Sequence, residues 1–296
     1  MLSALPQDAY DTRDILIDRS GMWHLRGKPT DPARALSQID VVLNALHGGI
    51  GEDGTVQRML DRAGVRYAGS RAFASGLSLN KIRAREYFRK NGLRMPRGIS
   101  FSVENPMDTK EMAEAVFTAF GPPYMVKPPN EGSSRGIRYV ATIVELPEAL
   151  ADILDAFGNA LVEEYVRGEH ATVGVIEGYR GEELYALPAA HHVLVKGERH
   201  TSFGAHEDGS AMHRVPSAFS HEAKQMLSDV ARVAHRALAL SHYSDADFVL
   251  TRSGPYLLEV NATPHLYEGA AFPRMLQSVG SSTREFLEHA IGLARQ

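Results

Sequence analysis

Residues 255–263 read PYLLEVNAT, an apolar run interrupted by an acid and an amide two positions apart. Successive side chains of a strand point to opposite faces, so Glu259 and Asn261 share one face, and Leu258 and Val260 take the other. An asparagine inside an apolar strand is disfavoured unless something uses its side chain. Upstream, DADFVLTR (245–252) reads as a second strand, joined to the first through Ser253-Gly254, a hairpin signal. That pairing brings Asp247 beside Glu259 and Asn261. Two carboxylates and an amide oxygen on adjacent strands form a hard-oxygen set suited to Mg²⁺, with phosphate oxygens completing its shell. The competing view is an ordinary hairpin with one solvated polar face.

Two further segments bear on phosphate and nucleotide. Lys127 closes the apolar strand YMVK, ahead of Pro128-Pro129 and the loop NEGSSRG (130–136). A lysine leaving a strand beside a Gly/Ser loop can clamp phosphate, its ammonium supplying charge while loop N–H groups and hydroxyls wrap the oxygens. The G-x-x-x-x-G-K-[ST] spacing of a P-loop is absent. In LVEEYV (161–166) an acidic pair meets an apolar segment. It is either a solvated strand end or a hinge whose carboxylate and backbone read an adenine edge.

Outward from these motifs the chain alternates strands and helices. RDILID (13–18) and IDVVL (39–43) read as buried strands, with a turn-rich connection between them. HGGIGEDG (47–54) leads into a helix ending on Gly64, and VRYAGS follows as a strand, a βαβ rhythm. Residues 71–91 carry a helical pattern closed by Asn91-Gly92. The middle of the chain mixes helices (108–119, 145–157) with strands of antiparallel type and reads as a separate α+β lobe. A long polar loop (196–215) and a long helix (220–240) precede the hairpin.

The 296 residues suit one large domain or a few compact lobes sharing a cleft. A formal net charge of −4 gives no basic field for a nucleic-acid backbone, so nucleic acid is not an expected partner. With no cysteine in the chain, thiol nucleophiles, disulfides and thiolate metal sites are excluded. No apolar run approaches the ~20 residues that span a bilayer. No membrane partner is expected, and the polar, acidic start is unlike a secretory signal, so the cytoplasm is the expected compartment.

Taken together, HGGIGEDGTVQRML, YAGSRAFASGLSLNK, VKPPNEGSSRGI, LVEEYVRG, LLEVNATP and the downstream AAFP resemble the D-alanine–D-alanine ligase family of the ATP-grasp superfamily, in order, from about residue 39 to 275. The resemblance implies an α/β ATP-grasp fold. Its expected lobes are a truncated, Rossmann-like N-terminal domain (1–80), a small central lobe (81–180) and a C-terminal lobe with the metal site (181–296). It implies ATP and Mg²⁺ (or Mn²⁺) as cofactors, amino acids as small-molecule substrates, a homodimer, and a role in building cell-wall precursors. Residue by residue, it implies Lys127 and Ser133 as catalytic groups, and Lys81, Lys127, Ser133 and Ser134 around the phosphates. Glu163, Glu164, Tyr165, Val166 and Leu258 fall around the nucleotide. His47 and Glu52, with Asp53, fall in the first-substrate loop, although Glu52 and Asp53 also suit a helix cap. Asp247, Glu259 and Asn261 fall on the metal. The implied reaction activates one carboxylate as an acyl phosphate, which the amine of a second amino acid then displaces.

The departures from that pattern cluster at the acceptor side. The chain starts inside the helix, around ALPQDAY, that follows the family's first strand. An arginine expected two residues before the first metal carboxylate is Asp245, with Arg214 or Arg252 as candidate replacements. Pro-Gly-Met after the metal strand is Pro264-His265-Leu266, and the serine for the second substrate's carboxylate is Ala270. A Lys-Tyr pair falls on Ala205-His206, with Lys196 as a stand-in, and a ribose glutamate falls on His170, next to Glu169. The alternatives are therefore a ligase for a different acceptor, or an ATP-binding protein without ligation. His191, His192, His200, His206 and His213 lack helical HxxxH spacing and read as polar loop residues; Trp23 reads as a packing residue.

Overall fold

The structure, a computed structural model, describes residues 1–18, 20–132, 134–193 and 212–296. Leu2–Ala4 make one 3₁₀ turn rather than the helix expected there. Strands β1 (Ile15–Ile17), β2 (Trp23–Leu25) and β3 (Lys28–Thr30) then form an antiparallel meander. Asp18 closes its first turn by accepting from the Ser20 and Met22 N–H groups at 2.8 and 3.0 Å. The expectation of a buried strand over 13–18 is corrected here. β1 pairs only with β2 among the described residues, and Leu16 is 55% exposed. The apolar run was right for a strand, but its partner is the supposed turn-rich connection.

Helix α1 (Pro32–Leu36), capped by Asp31 with proline at its first position, leads to β4 (Val41–Leu43). β4 lies parallel to β5 (Arg66–Ala68), and helix α2 (Thr55–Ala63) crosses between them, the βαβ unit expected from sequence. Gly64 closes α2 at φ +67°. Trp23 packs with Leu36, Val56, Leu60 and Tyr67 beneath this unit. At the start of α2, Gly54 holds φ +86°, and a Cβ there would lie 2.2 Å from the Ala72 carbonyl oxygen. Gly54→Ala is expected to lower unfolding free energy by at least about 2 kcal/mol, from left-handed strain plus a backbone clash. Urea denaturation would check it.

The helical stretch 71–91 is two helices, α3 (Ala72–Leu79) and α4 (Lys81–Lys90). Asn80 ends the first, and its side chain caps the second by accepting from the Arg83 N–H at 2.9 Å. That break makes Lys81 the first residue of α4. A four-stranded antiparallel sheet follows, ordered β6 (Gly98–Ser102), β9 (Asn159–Glu164), β7 (Tyr124–Lys127), β8 (Arg138–Val140). Helices α5 (Thr109–Ala119) and α6 (Leu146–Phe157) bury Val116, Leu146 and Leu150 against Val126 and Val162. Each such aliphatic side chain contributes roughly 1.5–3 kcal/mol.

The largest sheet contains β10 (Glu169–Glu177), β11 (Leu184–Ala186), β12 (Ala190–Val193), β13 (Met212–Arg214), β14 (Tyr243–Thr251) and β15 (Gly254–Asn261), all antiparallel. β10, which sequence placed in the central lobe, pairs along its length with β14. β13 lies inside the stretch read as a loop (196–215), most of which falls outside the described residues. Helix α7 (His221–Ala237), capped by Ser220, packs with α3 and α4 against this sheet. Helices α8 (Ala271–Ser278) and α9 (Thr283–Ala294) build a further core around Ile176, Leu187 and Phe286. Among the described residues, no helix is long and apolar enough to cross a membrane.

Candidate active site

The expected hairpin joins β14 and β15, its turn at Arg252-Ser253 one residue earlier than the Ser253-Gly254 signal, and the register sets Asp247 opposite Glu259 and Asp245 opposite Asn261. The register shifts between Asp247 and Phe248, which pairs with Leu257 and leaves Leu258 as an extra residue. A bulge turns a side chain out of strict alternation. Strict alternation faced Leu258 away from Glu259; the bulge instead puts Leu258, Glu259 and Asn261 together on the wall of one cleft, while Leu257 and Val260 enter the core.

This cleft lies between the four-stranded sheet and the large sheet. From the smaller sheet and the hinge beyond it come Met125, Lys127, Glu163, Glu164, Tyr165 and Val166. The Tyr165 N–H donates to the Pro123 carbonyl at 2.9 Å; among the described residues no group accepts from the Val166 N–H. The Glu164 carboxylate is held by Arg97, at 2.9 Å from its N–H and 2.7 Å from its Nε. Gly132 and Ser134 line the cleft from the loop after β7, and Ser134 keeps φ +60°. A non-glycine residue there carries strain of about 1–2 kcal/mol, the kind of backbone cost retained at ligand-facing loops. Ser133 lies outside the described residues.

The lysines are placed differently from each other. Lys127 lines the cleft, with Nζ 2.6 Å from Glu163 Oε2. Lys81 is 8% exposed and is not among the lining residues. It donates to the Glu131 carbonyl at 2.7 Å and reaches the site through Glu259 Oε2, also at 2.7 Å. Glu163, expected as a carboxylate facing adenine, is only 2% exposed and already takes Arg85 Nη1 on Oε1 at 2.5 Å as well as Lys127. Nothing in the sequence singled out Arg85, since a charged residue in a helix normally marks a solvated face.

Around the hairpin the carboxylates crowd. Burial and then the charge of Glu259 push the Asp247 carboxyl up to about 7, while burial and then Asp247 hold Asp245 well above the usual carboxylate range. Asn261 Nδ2 donates to Asp245 Oδ1 at 2.9 Å and Asp247 Oδ2 at 3.3 Å. Among the described residues no three His, Asp, Glu or Cys side chains form a ready-made metal cage. Mg²⁺ takes one or two carboxylates and completes its shell with water and phosphate oxygens. The crowding of hard, mutually repelling oxygen donors is itself the chemistry a divalent cation relieves.

At the acceptor side several expectations change. Neither Arg214, exposed on β13, nor Arg252, in the turn at the far end of β14, lines the cleft near Asp245. A guanidinium the sequence did not flag, Arg274 of α8, donates to the His213 carbonyl at 3.1 Å. His170 lines the cleft and the exposed Glu169 does not, so no one-residue shift restores a glutamate there. His192 and His213 are strand residues facing the cleft, not loop residues. The signal was available in AHHV and MHR, two short runs of strand type, but their pairing is non-local. Ala270 and His265 also line the cleft, and the His265 ring sits 4.1 Å from that of His47. Glu52 lines it too, 3.6 Å from His47 Nδ1, whereas Asp53 caps α2 by accepting from the Thr55 N–H at 2.7 Å. Ala205, His206, His200 and Lys196 lie outside the described residues.

Two antiparallel sheets closing on a cleft, with Lys127 on one side and paired carboxylates on the other, define an ATP-grasp ligase. Residues 88–292 match the family described as D-ala D-ala ligase C-terminus, and residues 1–70 match D-ala D-ala ligase N-terminus. The chain belongs to the D-alanine–D-alanine ligase family. It is 33% identical over 271 residues to the D-alanine–D-alanine ligase of Geobacter sulfurreducens, covering 89% of this chain and 82% of that one. Among solved structures, the VanG D-Ala:D-Ser ligase of Enterococcus faecalis shares the fold with a TM-score of 0.85 at 24% identity, over 99% of this chain and 92% of that one. The D-alanine–D-alanine ligase of Bacillus anthracis complexed with ATP gives a TM-score of 0.73 at 25% identity, over 87% and 80% of the two chains.

Proposed function

We propose that the chain joins the carboxylate of one small D-amino acid to the amine of another, at the expense of ATP and through an acyl phosphate; the names of its relatives state D-alanine–D-alanine ligation for them. The observation that carries this reading is the in-register Asp247–Glu259 pair, with Asn261 beside it, facing a cleft that Lys127 also lines. Asp247, Glu259 and Asn261 would hold Mg²⁺ or Mn²⁺, which when bound neutralises charge on the phosphates. Lys127, with the loop of Ser133 and Ser134, positions the transferring phosphoryl group, and Lys81 acts through Glu259. Val166 N–H and the side chains of Tyr165 and Leu258 border the nucleotide base, and His47 and Glu52 border the first substrate. Holding both substrates in one cleft removes up to ~7–11 kcal/mol of the entropic barrier. In this reading the lobes divide at about 80 and between Glu164 and Glu169, ahead of β10. The family resemblance implies a homodimer, and the cytoplasm is the compartment the reading expects.

Phosphate release from ATP is expected to require Mg²⁺ and to be stimulated by a D-amino acid. Assays across D-alanine, D-serine, D-lactate and L-amino acids identify the acceptor. A second reading rests on Asp245: a buried carboxyl stands where the family resemblance implies a cation, and losing that cation opposes catalysis on the scale of a lost oxyanion donor, ~2.7–4 kcal/mol. It favours a different acceptor, or nucleotide binding alone. Stimulation by none of these compounds would leave only nucleotide binding.

A further inference from the structure

A row of side chains crosses the large sheet and ends on the proposed metal site. Glu259 and Asp247 are opposite one another on β15 and β14, and Thr172 of β10 is directly opposite Asp247. On β12, Ala190 pairs with Thr172, so His192, two residues on, is its diagonal neighbour on the same face. His213 of β13 is opposite His192, its ring edge-on at 4.7 Å. All of these except Ala190 line the cleft.

The contacts along the row have a direction. Thr172 Oγ1 lies 2.5 Å from Asp247 Oδ1 and 2.6 Å from His192 Nε2. In the cation-binding form Asp247 is ionised and only accepts, so the single hydroxyl proton goes to Asp247, and the short contact to the imidazole is then a donation from Nε2–H. This assigns the His192 tautomer by elimination. Thr172 is 3% exposed, which keeps bulk water from replacing its hydroxyl. Asp247 is thus gripped on Oδ1 by Thr172 and on Oδ2 by Asn261.

We propose that Thr172, itself oriented by His192, is a positioning residue that fixes the Asp247 carboxylate for a divalent cation. The proposal rests on the metal–nucleotide reading given above. Partners behind a metal ligand are commonly worth ~10–100-fold in metal affinity, because they fix the ligand's orientation before the ion arrives. The chain's own geometry meets that description: a buried hydroxyl with one donor and one acceptor, aimed along a sheet row.

The test is Mn²⁺ binding by the full-length protein with a non-hydrolysable ATP analogue, followed by electron paramagnetic resonance, with circular dichroism and melting on each variant. Thr172→Val keeps the shape and removes the hydroxyl; its Mn²⁺ Kd is expected to rise about tenfold. Thr172→Ser is expected to stay within about twofold of wild type, because only the hydroxyl matters in this scheme. His192→Phe is expected to weaken Mn²⁺ by several-fold, with His192→Gln, whose amide can donate, recovering most of it. Unchanged affinity in Thr172→Val, equal loss in Thr172→Ser, or no effect of His192→Phe overturns the proposal while leaving the metal site standing. If Thr172→Val does not fold, the Ser variant and the two His192 variants, at a half-buried position, still decide. Absence of Mn²⁺ binding by the wild-type protein with nucleotide overturns both the positioning role and the metal site beneath it.

Discussion

Glu259→Gln is expected to lower ATP turnover by at least about 10³-fold, roughly 4 kcal/mol of transition-state stabilisation at 1.4 kcal/mol per decade. The substitution keeps the side chain's size and removes only its charge. In the native arrangement that charge does two things: it faces Asp247 across the hairpin, and it holds Lys81 Nζ at 2.7 Å. Glutamine would offer a metal one neutral oxygen and leave Lys81 with the Glu131 carbonyl as its remaining partner. The loss should therefore appear in turnover and in Mg²⁺ dependence together, while circular dichroism stays native. Activity above about a tenth of wild type in a folded variant would mean that the metal site is elsewhere.

The hairpin was legible because both its signals are local. Alternation within one strand suffices to put Glu259 and Asn261 together, and the turn signal brings the strand of Asp247 beside them, but the turn alone would set Asp247 opposite Leu258, and the bulge moves it to Glu259. Gly64 as a helix end was legible for the same reason. Leu258 was not, because a bulge depends on which residues face each other across two strands. β1 and β10 were read correctly as strands, but the sequence does not name their neighbours, since strand pairing is set by contacts distant in sequence. The break at Asn80 had a signal that went unused, a capping residue directly ahead of Lys81.

Charge was harder to read than shape. Lys81 and Lys127 looked equivalent, two lysines at the ends of helix and strand motifs, yet only Lys127 lines the cleft. Asp245 was legible as a departure, but what surrounds it was not. The side chains lining that end include His213 and His265, from segments more than 50 residues apart, rather than the arginines proposed from sequence. Histidines scattered over short strands and loops carry no spacing rule, so their convergence emerges only when the sheet is assembled.

Glu163→Gln is expected to cost about 3–5 kcal/mol of stability, the cost of leaving buried charges without their counter-charge. Glu163 bridges two cations, Arg85 Nη1 at 2.5 Å and Lys127 Nζ at 2.6 Å, at 2% exposure. A glutamine can accept from one of them and must turn its own NH₂ toward the other. Arg85 has a second anchor, Nη2 to the Pro96 carbonyl at 2.5 Å, and Gly98 opposite Glu163 leaves the guanidinium room, since a Cβ there would lie 3.1 Å from Nη2. Lys127 has no such second anchor among the described residues, so it is the cation that comes loose. Arg85→Met removes one cation but leaves the Lys127–Glu163 pair intact, and should cost less, about 1–3 kcal/mol. At roughly 2–4 °C per kcal/mol for a chain of this size class, the glutamine variant should melt about 6–20 °C lower. Its KM for ATP should also rise, because the lysine that meets phosphate loses the carboxylate that aims it. Were Arg85→Met the more damaging of the two, Glu163 would not be the hub, and Lys127 would be positioned by something other than this bridge.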